Sequence, residues 1–321
     1  MLGRKLTQRL VRDRDLRGAS IDHIDLTDLT EPVDLSPACT AVAGDLADPA
    51  VAEHLASRRP DVVFHLAGVV SGEAGADFDK GTRVNLEGTR ALFDALRQAR
   101  PGARVVFTSS IAVFGAPFPD PIGDDYHRTP HTSYGTQKLI GEALLADYTR
   151  RGFIDGVGIR LPTITVRPGR PNAAASGFFS SIIREPLAGK RAALPVGIDV
   201  RHPHASPRSA IGFLVHAAEL PSTRLGAVPN ITMPSVSVTV GDQIESLRRI
   251  AGQAAVDLIE TVEDEAVATI VAGWPRRFET PRAKALGFVC DADFDEIIQT
   301  YLADDVDAQT VDDAAVEDNA L

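Results

Sequence analysis

The chain is poor in the residues that staple or anchor a protein on their own. Cys39 and Cys290 are the only cysteines in 321 residues, which excludes a disulfide scaffold and a cysteine-rich zinc site. The eight histidines form no metal-ligand cluster, and His202, His204 and the single tryptophan, Trp274, read as packing residues. No apolar run approaches the ~20 residues that cross a bilayer. The opening MLGRKLTQRLVRDRDLR holds no apolar stretch of the kind a secretory signal needs, so a cytoplasmic protein is the expectation. Positive charge is also in deficit, with 33 Lys and Arg against 44 Asp and Glu, which argues against a nucleic-acid surface. That deficit is uneven. Seven of the eleven excess negative charges lie in residues 303–321, which carry no base and read as a disordered acidic tail.

What is present is an ordinary globular composition, 44% hydrophobic and 24% charged, in a chain long enough for a sizeable core. Short apolar runs rich in Val and Ile occur at 23–27, 39–44, 61–68, 103–110 and 155–162, each bounded by Asp, Gly or Pro. They read as buried strands. Between them, 49–58, 77–99 and 134–150 have helical spacing. This alternation predicts an α/β fold, a doubly wound parallel sheet with helices on both faces, over residues 1–167. After Pro168 the pattern loosens into a Pro/Gly-rich connection. Helical stretches at 178–189, 209–220 and 244–252 and one strand-like run at 236–240 follow. These predict a smaller substrate-binding lobe over 168–302 with no independent sheet.

The strongest chemical signal is the pair FTSSIAVFG (107–115) and SYGTQK (133–138). Tyr134 and Lys138 are four apart at a helix start, so both project from one face. A free phenol titrates near ~10, and an ammonium one turn away favours the phenolate. Ser110 ends the preceding strand, at the carboxyl edge where open α/β sheets bind ligands. There it can bond a reacting oxygen. A Tyr-x-x-x-Lys spacing alone is a weak motif. Its place one connection after a strand ending Thr-Ser-Ser is what gives it meaning.

With these segments in hand, the chain resembles the extended short-chain dehydrogenases/reductases, the NAD-dependent epimerase/dehydratase family. VFHLAG (63–68), VNLEGT (84–89), GDLAD (44–48) and RLPTI (160–164) resemble its further motifs in order and spacing. The resemblance implies a Rossmann fold and NAD as cofactor. It implies that Asp45 with Leu46, Leu66 with Ala67, Asn85, Pro162, Tyr134 and Lys138 contact that cofactor. It also implies Ser110, Tyr134 and Lys138 as the catalytic set, and pairing of two copies through helices 77–99 and 134–150. A carboxylate at the end of the HIDLTDLTEP strand would bind the ribose hydroxyls and favour NAD over NADP. Asp28 is the choice here and Asp25 the alternative.

The family opens with a strand and a Gly-x-x-Gly-x-x-Gly turn, whereas this sequence starts Met-Leu-Gly-Arg-Lys-Leu. Gly3 resembles the third glycine, so the expectation is that the first strand and two glycines, roughly ten residues, lie upstream of this Met. A family dehydratase has an acidic pair after the catalytic Ser/Thr; Ile111 and Ala112 stand there instead. Residues 160–190, with 69–79 and 206–210, resemble family members that oxidise a small sugar acid. Arg184 and Arg208 are then candidate carboxylate clamps, and Ser71, Thr163, Asn172 and Ser176 candidate hydroxyl partners. Two alternatives stand beside this reading: a nucleotide-sugar 4-epimerase, and a cofactor-binding protein without chemistry, which usually lacks the Tyr/Lys pair.

Overall fold

The computed structural model describes residues 1–33, 36–169 and 175–306. All five apolar runs are strands: β1 (Ile24–Asp28), β2 (Cys39–Ala43), β3 (Val62–His65), β4 (Arg104–Ser110) and β5 (Asp155–Leu161). They are followed by β6 (Thr163–Ile164), β7 (Arg201–Ala205), β8 (Asn230–Thr232) and β9 (Val236–Thr239). The principal helices are α1 (Leu2–Asp13), α2 (Pro49–Ser57), α3 (Gly88–Ala99), α4 (Ser133–Arg150), α5 (Phe178–Leu187), α6 (Pro207–Glu219), α7 (Val240–Ala251) and α8 (Phe294–Asp304). One sheet runs β8-β5-β4-β3, every pairing parallel, and β1 pairs in parallel with β2. These are the parallel strands of an α/β fold. No described strand lies between β1 and β3, and both of those edges help to wall the main cavity.

β4 explains why the sheet is covered on both sides. Its Val105 and Phe107 pack against Leu92, Phe93 and Leu96 of α3 and Leu145 of α4. Val106, with Val157 and Ile159 of β5, packs against Phe213 and Leu214 of α6. A strand buried on both faces must read as a continuous apolar run rather than an alternating one, and RVVF does.

The expected helix over 77–99 is interrupted. Residues Phe78–Gly81 are α-helical, Thr82–Glu87 form a π-helical turn, and α3 follows. Such turns are a recurrent way to re-aim one side chain inside a helix; here the turn carries Asn85 inward, to 1% exposure.

The second lobe does contain a sheet, contrary to the sequence reading. β7 pairs antiparallel with β9 and parallel with β6. The segment Arg-His-Pro-His-Ala has none of the β-branched residues that mark a strand. Its pairing comes from partners supplied by distant sequence, which local propensity does not register. A separate core forms there from Phe179, Ile182 and Ile183 of α5, Val240 and Leu247 of α7, and Phe294, Ile297, Ile298 and Tyr301 of α8.

Residues 303–306, which the sequence pattern placed in an acidic tail, belong to the folded structure. α8 runs to Asp304, which pairs with Arg208 at 2.6 Å, and Asp305 is 4% exposed and 2.5 Å from Lys5 of α1. Residues 307–321 lie outside those described.

Beneath the sheet's carboxyl edge lies a buried ion pair. Glu142 of α4 receives two bonds from Arg160 of β5, at 2.8 and 2.6 Å, and one from Ser109 of β4 at 2.5 Å. Arg160 also donates to Thr232 of β8 at 3.2 Å, and Asn230 of β8 donates to the Glu142 carbonyl at 3.2 Å. Removing one partner of such a pair leaves the other charge buried and unmatched. Glu142→Ala is expected to cost about 3–5 kcal/mol of stability, measured by urea denaturation of the two proteins side by side.

Candidate active site

The sequence Thr-Ser-Tyr-Gly places Tyr134 by capping and close approach. Thr132 is the N-cap of α4, its hydroxyl accepting from the Gly135 amide at 3.0 Å. A Cβ at Gly135 would lie 2.1 Å from the Ala112 carbonyl oxygen, so only glycine lets this first turn close on the 3₁₀ turn Ile111–Val113. That contact brings Tyr134 to Ser110, whose hydroxyl is within hydrogen-bonding reach of the phenol and accepts from the Ala112 amide at 3.1 Å. One turn along α4, the Lys138 ammonium lies 5.8 Å from the Tyr134 ring centroid and 5.1 Å from that of Phe107. It donates to the Thr108 carbonyl at 2.9 Å. Gly68, after β3, leaves room for it: a Cβ there would stand 3.5 Å from Lys138 Nζ and 2.9 Å from Asn85 Oδ1.

Burial sets the electrostatics of this trio. It pushes the Tyr134 phenol above its usual range, and the Ser110 hydrogen bond pulls part of the way back. It lowers Lys138 to about 8. The expected lowering of Tyr134 by Lys138 is therefore corrected for the protein alone: the ammonium is turned to the Thr108 carbonyl, and loss of solvent disfavours the phenolate more than the lysine favours it.

All three line one cavity of about 2020 Å³ that runs between β1 and β3 and on to the second lobe. Among the expected cofactor residues, Gly3 in the first turn of α1, Leu46, Leu66, Ala67 and Pro162 are in its wall. Asp28 is too, at the end of β1, accepting from the Leu29 amide at 2.7 Å. The alternative, Asp25, is occupied by Arg58 at 3.3 Å and His23 at 3.2 Å. Asp45 lines the cavity with one oxygen on the Ala47 amide at 3.0 Å and the other paired to Arg83.

Asn85 is not in the wall. Its Oδ1 accepts from the Val69 amide at 2.9 Å, and its Nδ2 donates to the Val69 carbonyl at 3.3 Å and Gln137 at 2.8 Å. It fixes the segment after β3 against α4, a shaping role rather than a cofactor contact.

The substrate residues divide. Ser71, Thr163 and Ser176 line the cavity, while Asn172 lies outside the described residues. Arg208 is corrected outright: it faces away from the cavity, paired to Asp304 through two bonds at 2.6 and 3.1 Å. Arg184 is in the wall, but its guanidinium is already committed to the Arg167 carbonyl and to Glu185, both at 2.6 Å.

Two residues read from the sequence as packing, His202 and Trp274, are in the wall, as is Arg167, which the sequence reading did not single out. His202 bonds Thr163 at 2.7 Å, stacks on Phe179 with ring centroids 5.0 Å apart, and has Trp274 5.2 Å away. Arg167 sits in the run Arg-Pro-Gly-Arg-Pro directly after the β6 exit; its position next to a strand's carboxyl end was the available signal.

A glycine-opened helix start beside a Ser/Tyr/Lys trio, at the carboxyl edge of a parallel sheet, is the geometry of a nucleotide-dependent oxidoreductase or epimerase site. Residues 1–205 match the NAD dependent epimerase/dehydratase family, and the chain belongs to it. It is 47% identical to D-erythronate dehydrogenase of Cupriavidus necator over 94% of both chains. It is 38% identical to D-erythronate dehydrogenase of Haemophilus influenzae over 95% of this chain and 96% of that one. A solved structure of a nucleoside-diphosphate-sugar epimerase from Agrobacterium tumefaciens superposes with a TM-score of 0.91 at 56% identity, covering 94% of this chain and 91% of that one.

Two buried imidazoles near the site predict acid sensitivity. Burial, aided at His65 by the Lys138 charge, lowers His65 to about 3, and burial lowers His202 to about 3. Unfolded, each titrates near 6.5, so between those values the unfolded chain holds more protons and stability falls as pH falls. Replacing His65 by Gln should flatten the slope of stability against pH between pH 6 and 4 by about 1.4 kcal/mol per pH unit. Urea midpoints at stepped pH measure it.

Proposed function

We propose that this protein oxidises a small sugar acid, D-erythronate, to its 2-oxo product with NAD. The observation that carries the reading is the Ser110–Tyr134–Lys138 trio in one cavity, in a chain alike over nearly its full length to two D-erythronate dehydrogenases.

The wall suits a dinucleotide. Asp28 and Asp45 stand toward the β1 end, where a carboxylate can accept from ribose hydroxyls or an adenine amino group. Gly3 leaves the first turn of α1 open, the nearest side-chain atom to a Cβ there being 3.9 Å away. Lys138 is placed to hold the nicotinamide ribose. Bound NAD supplies a hydride acceptor and a positive charge that favours the phenolate.

Tyr134 takes the proton of the C2 hydroxyl as general base, and Ser110 steadies the oxygen as it becomes a carbonyl. Lys138, one turn along α4, would add its charge to that of the bound nucleotide, the two together offsetting the burial that disfavours the phenolate in the protein alone. The C2 hydrogen would leave as hydride to the bound nucleotide and the hydroxyl proton to Tyr134, so two electrons and two protons depart in all and a C=O bond remains.

A second reading, nucleotide-sugar 4-epimerisation, is supported by the likeness to the nucleoside-diphosphate-sugar epimerase of Agrobacterium tumefaciens. Four-carbon sugar acids and UDP-sugars presented in parallel separate the two. NADH absorbance rising with D-erythronate and not with UDP-glucose supports oxidation; stereochemical inversion of the UDP-sugar without net NADH sinks it.

Tyr134→Phe should lower turnover by about 10²–10⁴-fold while leaving NAD affinity within a few fold, checked by steady-state rates and calorimetric titration. Asp28→Asn should weaken NAD binding and narrow the preference over NADP, whereas Asp25→Asn should do neither. Titrating both nucleotides into each variant decides which carboxylate meets the ribose.

A further inference from the structure

Three arginines could meet an anion at the second lobe, and their partners sort them. Arg208 is spent on Asp304, outside the cavity. Arg184, 3% exposed, is spent on Glu185, on Ser181 at 3.4 Å and on the Arg167 carbonyl. Arg167 differs. Its backbone is clamped at both ends, the amide donating to Ser180 Oγ at 3.0 Å and the carbonyl accepting from Arg184 at 2.6 Å. Its guanidinium lines the cavity half-buried and donates through Nη2 to Ser176 Oγ at 3.3 Å. Among the described residues no carboxylate pairs with it.

The Arg167 and Arg184 guanidinium groups therefore lie in one wall, and the carboxylate beside them, Glu185, is paired with Arg184. Their mutual repulsion and the loss of solvent both disfavour the charge on Arg167, as the lowering of its pKa by burial and by Arg184 reflects. An arriving monoanion relieves that cost. A guanidinium offers a carboxylate two parallel N–H bonds, a match that a lysine does not make.

We propose that Arg167 is the anchor for the substrate carboxylate, with Ser176 beside it and Arg184 as the buttress that holds its backbone in place. This rests on the oxidation of a sugar acid proposed above and gives the acid group a cationic partner on the second-lobe side of the cavity. Thr163, bonded to a His202 that burial keeps neutral, is positioned as a hydroxyl partner in the same wall. One unmatched guanidinium suits a single carboxylate.

Trp274, the only tryptophan, lies in this wall and reports binding without turnover. The full chain is titrated with sodium D-erythronate, with erythritol as the neutral analogue, and with UDP-glucose, following tryptophan emission. D-Erythronate should give a saturable change that weakens about 10- to 100-fold in Arg167→Met and less in Arg167→Lys. Arg208→Gln should bind like the parent, and erythritol should not distinguish any of the variants. In turnover, Arg167→Met should raise KM by the same factor with kcat largely kept, and circular dichroism checks that each variant is folded.

An unchanged KM or emission response in folded Arg167→Met overturns the anchor and leaves the oxidation reading standing. A carboxylate response that needs Arg167, in a protein that oxidises no four-carbon acid, keeps the anchor and sinks that reading. No saturable response to the acid, or a tighter Arg167-dependent response to UDP-glucose, overturns the anchor's assignment to a carboxylate.

Discussion

The buried pair of Glu142 and Arg160 is the constraint on which the site depends. Glu142 sits one turn beyond Lys138 and two beyond Tyr134 on α4, and its carboxylate is gripped by Arg160 of β5 and Ser109 of β4. Through Asn230 and Thr232 the same cluster reaches β8. The rotation of α4 about its axis is thereby locked to three strands of the sheet. Apolar packing alone tolerates small slides of a helix on a sheet; a bidentate ion pair in a dry interior does not. The geometry between Ser110 at a strand end and Tyr134 at a helix start is set by this lock below and by the Gly135–Ala112 approach above.

Above that lock, burial places the reactive groups in tension with their surroundings. Tyr134 is held toward the phenol and Lys138 toward the free amine, each because its charged form has lost water. The protein alone is thus a poor generator of phenolate. A cationic group entering the cavity shifts that balance, so the chemistry is coupled to occupancy. The opposite lobe repeats the pattern with Arg167, a cation placed where no described carboxylate offsets it. Both ends of the cavity thus hold groups whose charged forms have lost solvent.

The α/β class and the five leading strands were legible because strands buried on two faces must be continuously apolar, and nothing else in so short a run looks the same. The trio was legible because Tyr134 and Lys138 are local, four residues apart, and Ser110 closes an obvious strand. β7 was not legible: Arg-His-Pro-His-Ala becomes a strand only because β6 and β9 arrive on either side. Nor was the π-helical turn at 82–87, whose extra residue is repaid by contacts of Asn85 to Val69 and Gln137, 16 and 52 residues away.

Arginine partners are where sequence and tertiary structure part most clearly. From the sequence, Arg184 and Arg208 were equivalent cations near a plausible substrate segment, and Arg167 was a residue in a proline-rich connection. Pairing in the folded chain decides among them: α8 brings Asp304 to Arg208, Arg184 turns onto its neighbour Glu185 and the Arg167 carbonyl, and the Arg167 side chain lines the cavity with no carboxylate partner among the described residues. Local pattern determined which elements form and which side chains share a helix face, because periodicity and capping act over a few residues. Only the tertiary structure decided which charges are spent and which are left to bind, because a counter-ion contributed from a hundred residues away leaves no trace in the sequence around its partner.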